Sequence, residues 1–106
     1  MESIILIKTV GGEFYIGYND PDKDTQDKTI LRNCKNLTMQ MTMRGAGVAA
    51  IPVIPFADKS PDVIEFPKNS ILCQIGESDI KQEMLNGFRN EGSGIVTPKK
   101  PSLIIP

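Results

Sequence analysis

The chain has 106 residues, 40% of them hydrophobic and 24% charged, with a net charge of −1 and an isoelectric point near 5.3. That size fits one domain with a single modest core, and the composition argues against disorder over most of the length. The near-neutral balance excludes a global pull toward nucleic acid or anionic lipid, so a site for either has to be a local patch.

There is no histidine, which removes the commonest general base and the commonest zinc ligand together. Cys34 and Cys73 form no C-x-x-C pair and suit a reducing compartment. They read as two small core residues, or as a disulfide if neighbouring strands bring them within bridging distance. The apolar run Ile4–Ile7 is too short for a signal peptide, and no run approaches the roughly 20 residues of a membrane span. The expected location is cytoplasmic.

In chain order, Ile4–Val10 is a β-branched run that predicts a first strand, and Gly11-Gly12 closes it with a tight turn. Glu13–Tyr18 returns as a second strand, with Phe14, Ile16 and Tyr18 on one face. Gly17 inside that strand marks a bend, a bulge or a close backbone approach. Asn19–Lys28 is a polar, acidic loop. Its Asp20, Asp22 and Asp24 have the spacing of a calcium loop, but Thr25 stands where the sharp turn needs glycine and Leu31 where a bidentate glutamate is needed. A solvated turn with an Asx-Pro start is the expectation there.

Thr29–Phe56 organises the rest. From Leu37 it alternates, with Leu37, Met39, Met41 and Met43 pointing one way and Thr38, Gln40 and Thr42 the other. This period of two predicts a half-buried strand. Arg44-Gly45-Ala46-Gly47 then reads as the turn, and Val48–Phe56 as the returning arm of a long, bent hairpin. The apolar parity shifts between Ile30/Cys34 and Leu37, which places a bulge near Lys35-Asn36. Pro52 and Pro55 make the second arm an edge strand or a partly paired one.

Val63–Phe66 is a short strand, Pro67–Ser70 a tight turn and Ile71–Ile75 the last strand of the series. The period then changes. Asp79 with Gln82 forms a capping-box variant, with Ser78 as an alternative cap, and Ile80, Met84, Leu85 and Phe88 line one helical face. The expected organisation is a β domain over 1–77, a helix over 78–90 and an extended Gly/Pro-rich tail over 91–106, in which Ile95-Val96 and Leu103–Ile105 are apolar enough to dock on something.

This order of elements resembles the Sm-like family, which includes the eukaryotic Sm and Lsm proteins and bacterial Hfq. The likeness rests on Leu6-Ile7-Lys8-Thr9 with Gly12 and Gly17, on Thr29-Ile30-Leu31 at the start of the third strand, and on Phe66–Ile75 as a closing turn and strand. The stretch Ser93–Pro98 and the Pro-rich arm look similar to small Sm-like proteins of marine bacteriophages. The resemblance implies a mostly β fold, a small, strongly bent five-stranded barrel assembled as a cyclic homo-oligomer, to which the helical period after residue 77 adds a C-terminal helix. It implies a ribonucleoprotein-like function of binding single-stranded RNA; the lack of histidine, of a nucleophile motif, of a Gly-rich phosphate loop before a helix and of a ligand cluster makes a non-catalytic protein the expectation, with no cofactor, metal or small-molecule substrate. By position, the RNA-binding residues would be Asp27, Lys28, Lys68 and Asn69, with Tyr18 as a stacking platform. The sequence departs from the family in carrying Lys68-Asn69 where Arg-Gly is usual, and lysine lacks the planar stack of a guanidinium. It has no Asn at the expected place in the long loop, and its helix follows the barrel instead of preceding it. A ring-forming scaffold that binds no nucleic acid is the alternative.

Overall fold

Alternating apolar residues pair Ser3–Thr9 (β1) with Phe14–Asn19 (β2) in an antiparallel hairpin. Its turn closes through Gly12 N–H to Thr9 O at 2.9 Å, and Gly12 takes φ +87°, a region that favours glycine. The chain is seen in a computed structural model that describes residues 2–43, 45–59, 61–90 and 95–96. The fold is mostly β. Lys28–Thr42 (β3) pairs with β2, and its outer side is shared between Gly45–Pro52 (β4) along its second half and Val63–Pro67 (β5) along its first. Ile71–Gly76 (β6) returns to pair with β1, and the two-residue Ile95–Val96 (β7) pairs with β4. Every pairing is antiparallel. The sheet is not closed: among the described residues β5 and β6 each have a single neighbour.

The expected bend is present, and it lies at Asn33-Cys34 instead of Lys35-Asn36. Ile16 faces Lys35 and Tyr18 faces Arg32, so one residue of β2 opposes two of β3. Asn33 is the inserted residue, with φ +54°, a conformation asparagine tolerates better than most side chains. Its N–H is held by Asp62 O at 2.9 Å. Opposite it, Gly17 admits β3 so closely that an added Cβ would lie 3.1 Å from Leu31 Cβ and 3.2 Å from Arg32 O. The close approach expected of Gly17 is therefore what the structure shows.

The bulge divides the core between the two faces of one sheet. Ile5, Ile7, Leu31, Cys34 and Phe66 are buried together where the sheet curls on itself. Ile4, Ile16, Leu37 and Ala50 are buried on the other face under a single helix, Gln82–Arg89 (α1), through Leu85 and Phe88, with Ile80 just before it. The predicted stripe is therefore core packing. Its start is later than expected: Glu77–Asp79 form a 3-10 turn, Ile80 is extended and buried, and no side chain caps the helix at Lys81. Sending Ile80 into the core takes Asp79 out of capping position. Glu77 fixes the helix to the sheet, accepting from Ile4 N–H at 3.0 Å and from Arg89 Nη2 at 2.6 Å.

Three further expectations are corrected. The hairpin closes before the expected glycines: Gly45 (φ +120°) is already paired to Thr42, and Gly47 is paired to Gln40 inside the ladder. Leu37 is buried, but Met39, Met41 and Met43 are 69%, 78% and 105% exposed, because an eight-residue helix, about 12 Å long, covers only the base of the hairpin. The two cysteines are unpaired and differ: Cys34 is buried, whereas Cys73 is exposed on the edge strand β6. Of the tail, Ile95–Val96 pairs within the chain, and the rest lies outside the described residues.

Two measurements check this packing. Gly17→Ala is expected to cost about 1–3 kcal/mol in urea unfolding, since the new methyl meets backbone as well as the root of Leu31; a midpoint equal to wild type would mean that β3 does not pass so close. Phe88→Ala, at 1% exposure, is expected to cost about 3–5 kcal/mol by removing the main contact between helix and sheet. The cysteines provide a third test. Burial pushes the Cys34 thiol up to about 12, so at neutral pH it is protonated as well as shielded. One thiol, Cys73, is expected to react with a disulfide reagent in the native protein and two after denaturation.

Candidate nucleic-acid interface

The β2–β3 loop and the β5–β6 turn are some forty residues apart in sequence, and the fold places them side by side. β3 begins at Lys28 opposite Pro67, where β5 ends, and Lys68 N–H donates to Asp27 O at 2.8 Å. Lys68–Ser70 then make a single 3-10 turn, steadied by Ser70 Oγ donating to Pro67 O at 2.7 Å. Four of the five residues singled out by sequence, Asp27, Lys28, Lys68 and Asn69, thus sit together, all exposed.

The loop that carries Asp27 is built, not slack. Asp20 accepts from Asp22 N–H at 3.1 Å and caps a short turn over Pro21–Lys23, as the Asx-Pro start predicts. Asp24 accepts from Asn19 Nδ2 at 2.9 Å and from Ile30 N–H at 3.0 Å, tying both ends of the loop together. Asn19 is buried and also donates to Ile30 O. The asparagine that braces the loop is therefore its first residue, Asn19, which the strand pairing carries into β2. Thr25 Oγ1 donates to Asp27 Oδ1 at 3.0 Å, which orients that carboxylate.

Beside the turn lies an open depression of about 320 Å³, whose walls include Asp24, Thr29, Lys68, Leu72 and Gln74. Leu72 is 60% exposed and gives it an apolar surface. Lys28 pairs with Glu65 at 3.2 Å across the β3–β5 ladder, whereas among the described residues no ion pair engages Lys68. The immediate charges are two cations, Lys28 and Lys68, against three carboxylates, Asp24, Asp27 and Glu65. The patch is therefore polar without being basic.

Tyr18 is elsewhere. It stands on the helix side of the sheet, 5.1 Å from the Phe88 ring, with the Arg32 guanidinium 4.7 Å from its centroid. Arg32 is itself gripped by Glu2 through Nε at 2.7 Å and Nη2 at 2.9 Å, an ion pair that holds the Glu2 carboxyl below its usual range. The fold does not bring Tyr18 to the turn cluster.

Comparison with known proteins adds little to this geometry. No family model matches the chain. The chain is 25% identical over 103 residues to glucosamine-6-phosphate deaminase 2 of Bacillus subtilis, an alignment that takes in 95% of this chain and 39% of that protein. The chain thus spans about two-fifths of the length of that relative, at an identity too low to establish a family. Among the described residues, no group of three or more His, Cys, Asp or Glu side chains is arranged to hold a metal, and no helix is long and apolar enough to cross a membrane.

Proposed function

We propose that this chain is a non-catalytic Sm-like protein, a strongly bent small barrel that completes itself by closing into a ring of identical subunits and binds single-stranded RNA at the paired turns. The observation that carries the reading is the Lys68 N–H to Asp27 O bond of 2.8 Å, which joins two turns distant in sequence beside an open depression lined in part by Lys68 and Leu72. The order of strands and turns supports it, as do β5 and β6, each of which has one neighbour and an open side among the described residues. Edge strands of this kind are satisfied by pairing head to tail around a ring.

In this reading Lys68 meets the phosphate or a base edge, Asn69 and the Asp27 carboxylate take base hydrogen bonds, and Leu72 offers an apolar surface for the ring of the base. Lys28 is held by Glu65 and contributes less. One cation per subunit without an ion pair among the described residues is a weak site, and repetition around a ring multiplies it.

Titration of oligo-U and oligo-A at several salt concentrations tests this. Wild type is expected to bind at low salt, and Lys68→Ala to weaken binding and flatten the slope of log K against log salt by about 0.7 for each subunit engaged. Absence of binding at low salt would overturn the RNA reading. A second reading, an oligomeric scaffold without nucleic acid, is favoured by the exposed apolar side chains on the open strands, Val63 at 49%, Leu72 at 60% and Ile75 at 38%. Light scattering recorded at two wavelengths separates the two: the scaffold alone is expected to run as an oligomer with a protein-only absorbance ratio, and a well-folded monomer would exclude the ring in both.

A further inference from the structure

The tip of the β3–β4 hairpin has no part in the reading above. Three of the chain's five methionines fall within five residues there, at alternate positions, as Met39, Met41 and Met43. Met39 and Met41 share the face of β3 that begins with Leu37, and Met43 heads the turn. Leu37 is covered by the helix, and the three methionines are among the most exposed side chains described. Across the ladder, Met39 faces Val48 and Met41 faces Ala46, so the only donor atoms these paired side chains offer are thioether sulfurs.

That arrangement has a chemistry. Residues two apart on a strand stand about 6.6–6.8 Å apart along it. The unbranched methionine side chain has three rotatable bonds, so neighbouring sulfurs can lean toward a common point without backbone movement. Opposite Met41 the small Ala46 leaves the space above the strand open. A thioether is neutral and needs no deprotonation, and it is a soft donor: it favours Cu(I)-type ions over calcium or magnesium, which take oxygen. Three exposed thioethers at alternate positions thus offer a soft, neutral donor set at the tip of one hairpin.

We propose that the hairpin tip binds one soft monovalent cation of the Cu(I) class, held by the thioethers of Met39 and Met41 with Met43 as a third donor. The site is independent of the ring and of RNA. It is also separate from the thiols: Cys34 is buried, and Cys73 lies on β6, with β1 and β2 between it and β3.

The test uses the full chain carrying Cys73→Ser, to remove the exposed thiol, and silver(I), which needs no reductant to stay monovalent. The methyl resonances of Met39, Met41 and Met43 are expected to shift together and saturate at one equivalent, while that of Met84, packed against the helix-side core, stays in place. Replacing Met39 or Met41 singly by Leu is expected to weaken silver binding at least about tenfold. Met39→Leu with Met41→Leu is expected to abolish it, with an unchanged unfolding midpoint because both side chains are exposed. Methyl resonances unmoved by excess silver, or one-equivalent binding retained in the double variant, would overturn the proposal and leave the tip as an apolar contact surface.

Discussion

The structure depends on one change of parity in β3. A fifteen-residue strand that kept strict alternation would send Leu31 to the face opposite Leu37 no more than any other even-spaced pair, and the sheet would have one apolar side. Asn33, inserted with φ +54° against Gly17, moves everything after it across by one. Leu31 and Cys34 therefore point into the curl of the sheet, and Leu37 points to the helix. Neither partner is replaceable by a larger, stiffer residue: Asn33 must sit in the left-handed region, and Gly17 must have no side chain where β3 passes. The Asp62 carbonyl that holds Asn33 N–H fastens the entry of β5 to the same point.

From that bend follows the placement of the polar surface. Because β3 turns, its first half pairs with β5 and its second with β4, and the loop before β3 is carried to the turn after β5. The Asp27–Lys68 juncture is thus a consequence of strand pairing and not of attraction between its side chains. The same bend leaves two things uncovered. The hairpin beyond Leu37 outruns the short helix, and the curl stops before β5 and β6 can meet.

Much of this was legible in the sequence, for physical reasons that differ by element. The short strands stood out because period-two apolar runs were punctuated by Gly11-Gly12 and Pro67–Ser70. The bend was legible as a change of parity between Ile30/Cys34 and Leu37, but its position was not: Cys34 shares its face with Leu31 and not with Ile30, so the inserted residue precedes Cys34, and only backbone conformation selects Asn33. Four candidate site residues came together because they flank paired strand ends, which alternation and turn chemistry determine. Tyr18 did not, because an aromatic on a strand reads the same whether it lines a site or meets a helix later in the chain. The exposure of Cys73 and of the methionines was hidden for a related reason: pattern reports which side chains share a face, and what covers that face depends on the length and placement of a distant element.

The charges around the paired turns limit what such a site can do alone. Lys28 is paired with Glu65, and three carboxylates stand near Lys68, which has no ion pair among the described residues, so counterion release at one such patch would supply little binding. Affinity for a polyanion has to come from base contacts, from repetition, or from both. Repetition requires neighbours, and β5 and β6 are where neighbours would join. Their outer edges flank the same 3-10 turn that presents Lys68 and Asn69. In a ring joined along these edges, each junction between subunits would lie next to the polar turn Pro67–Ser70, which Ser70 and Asp27 already hold in shape within one subunit.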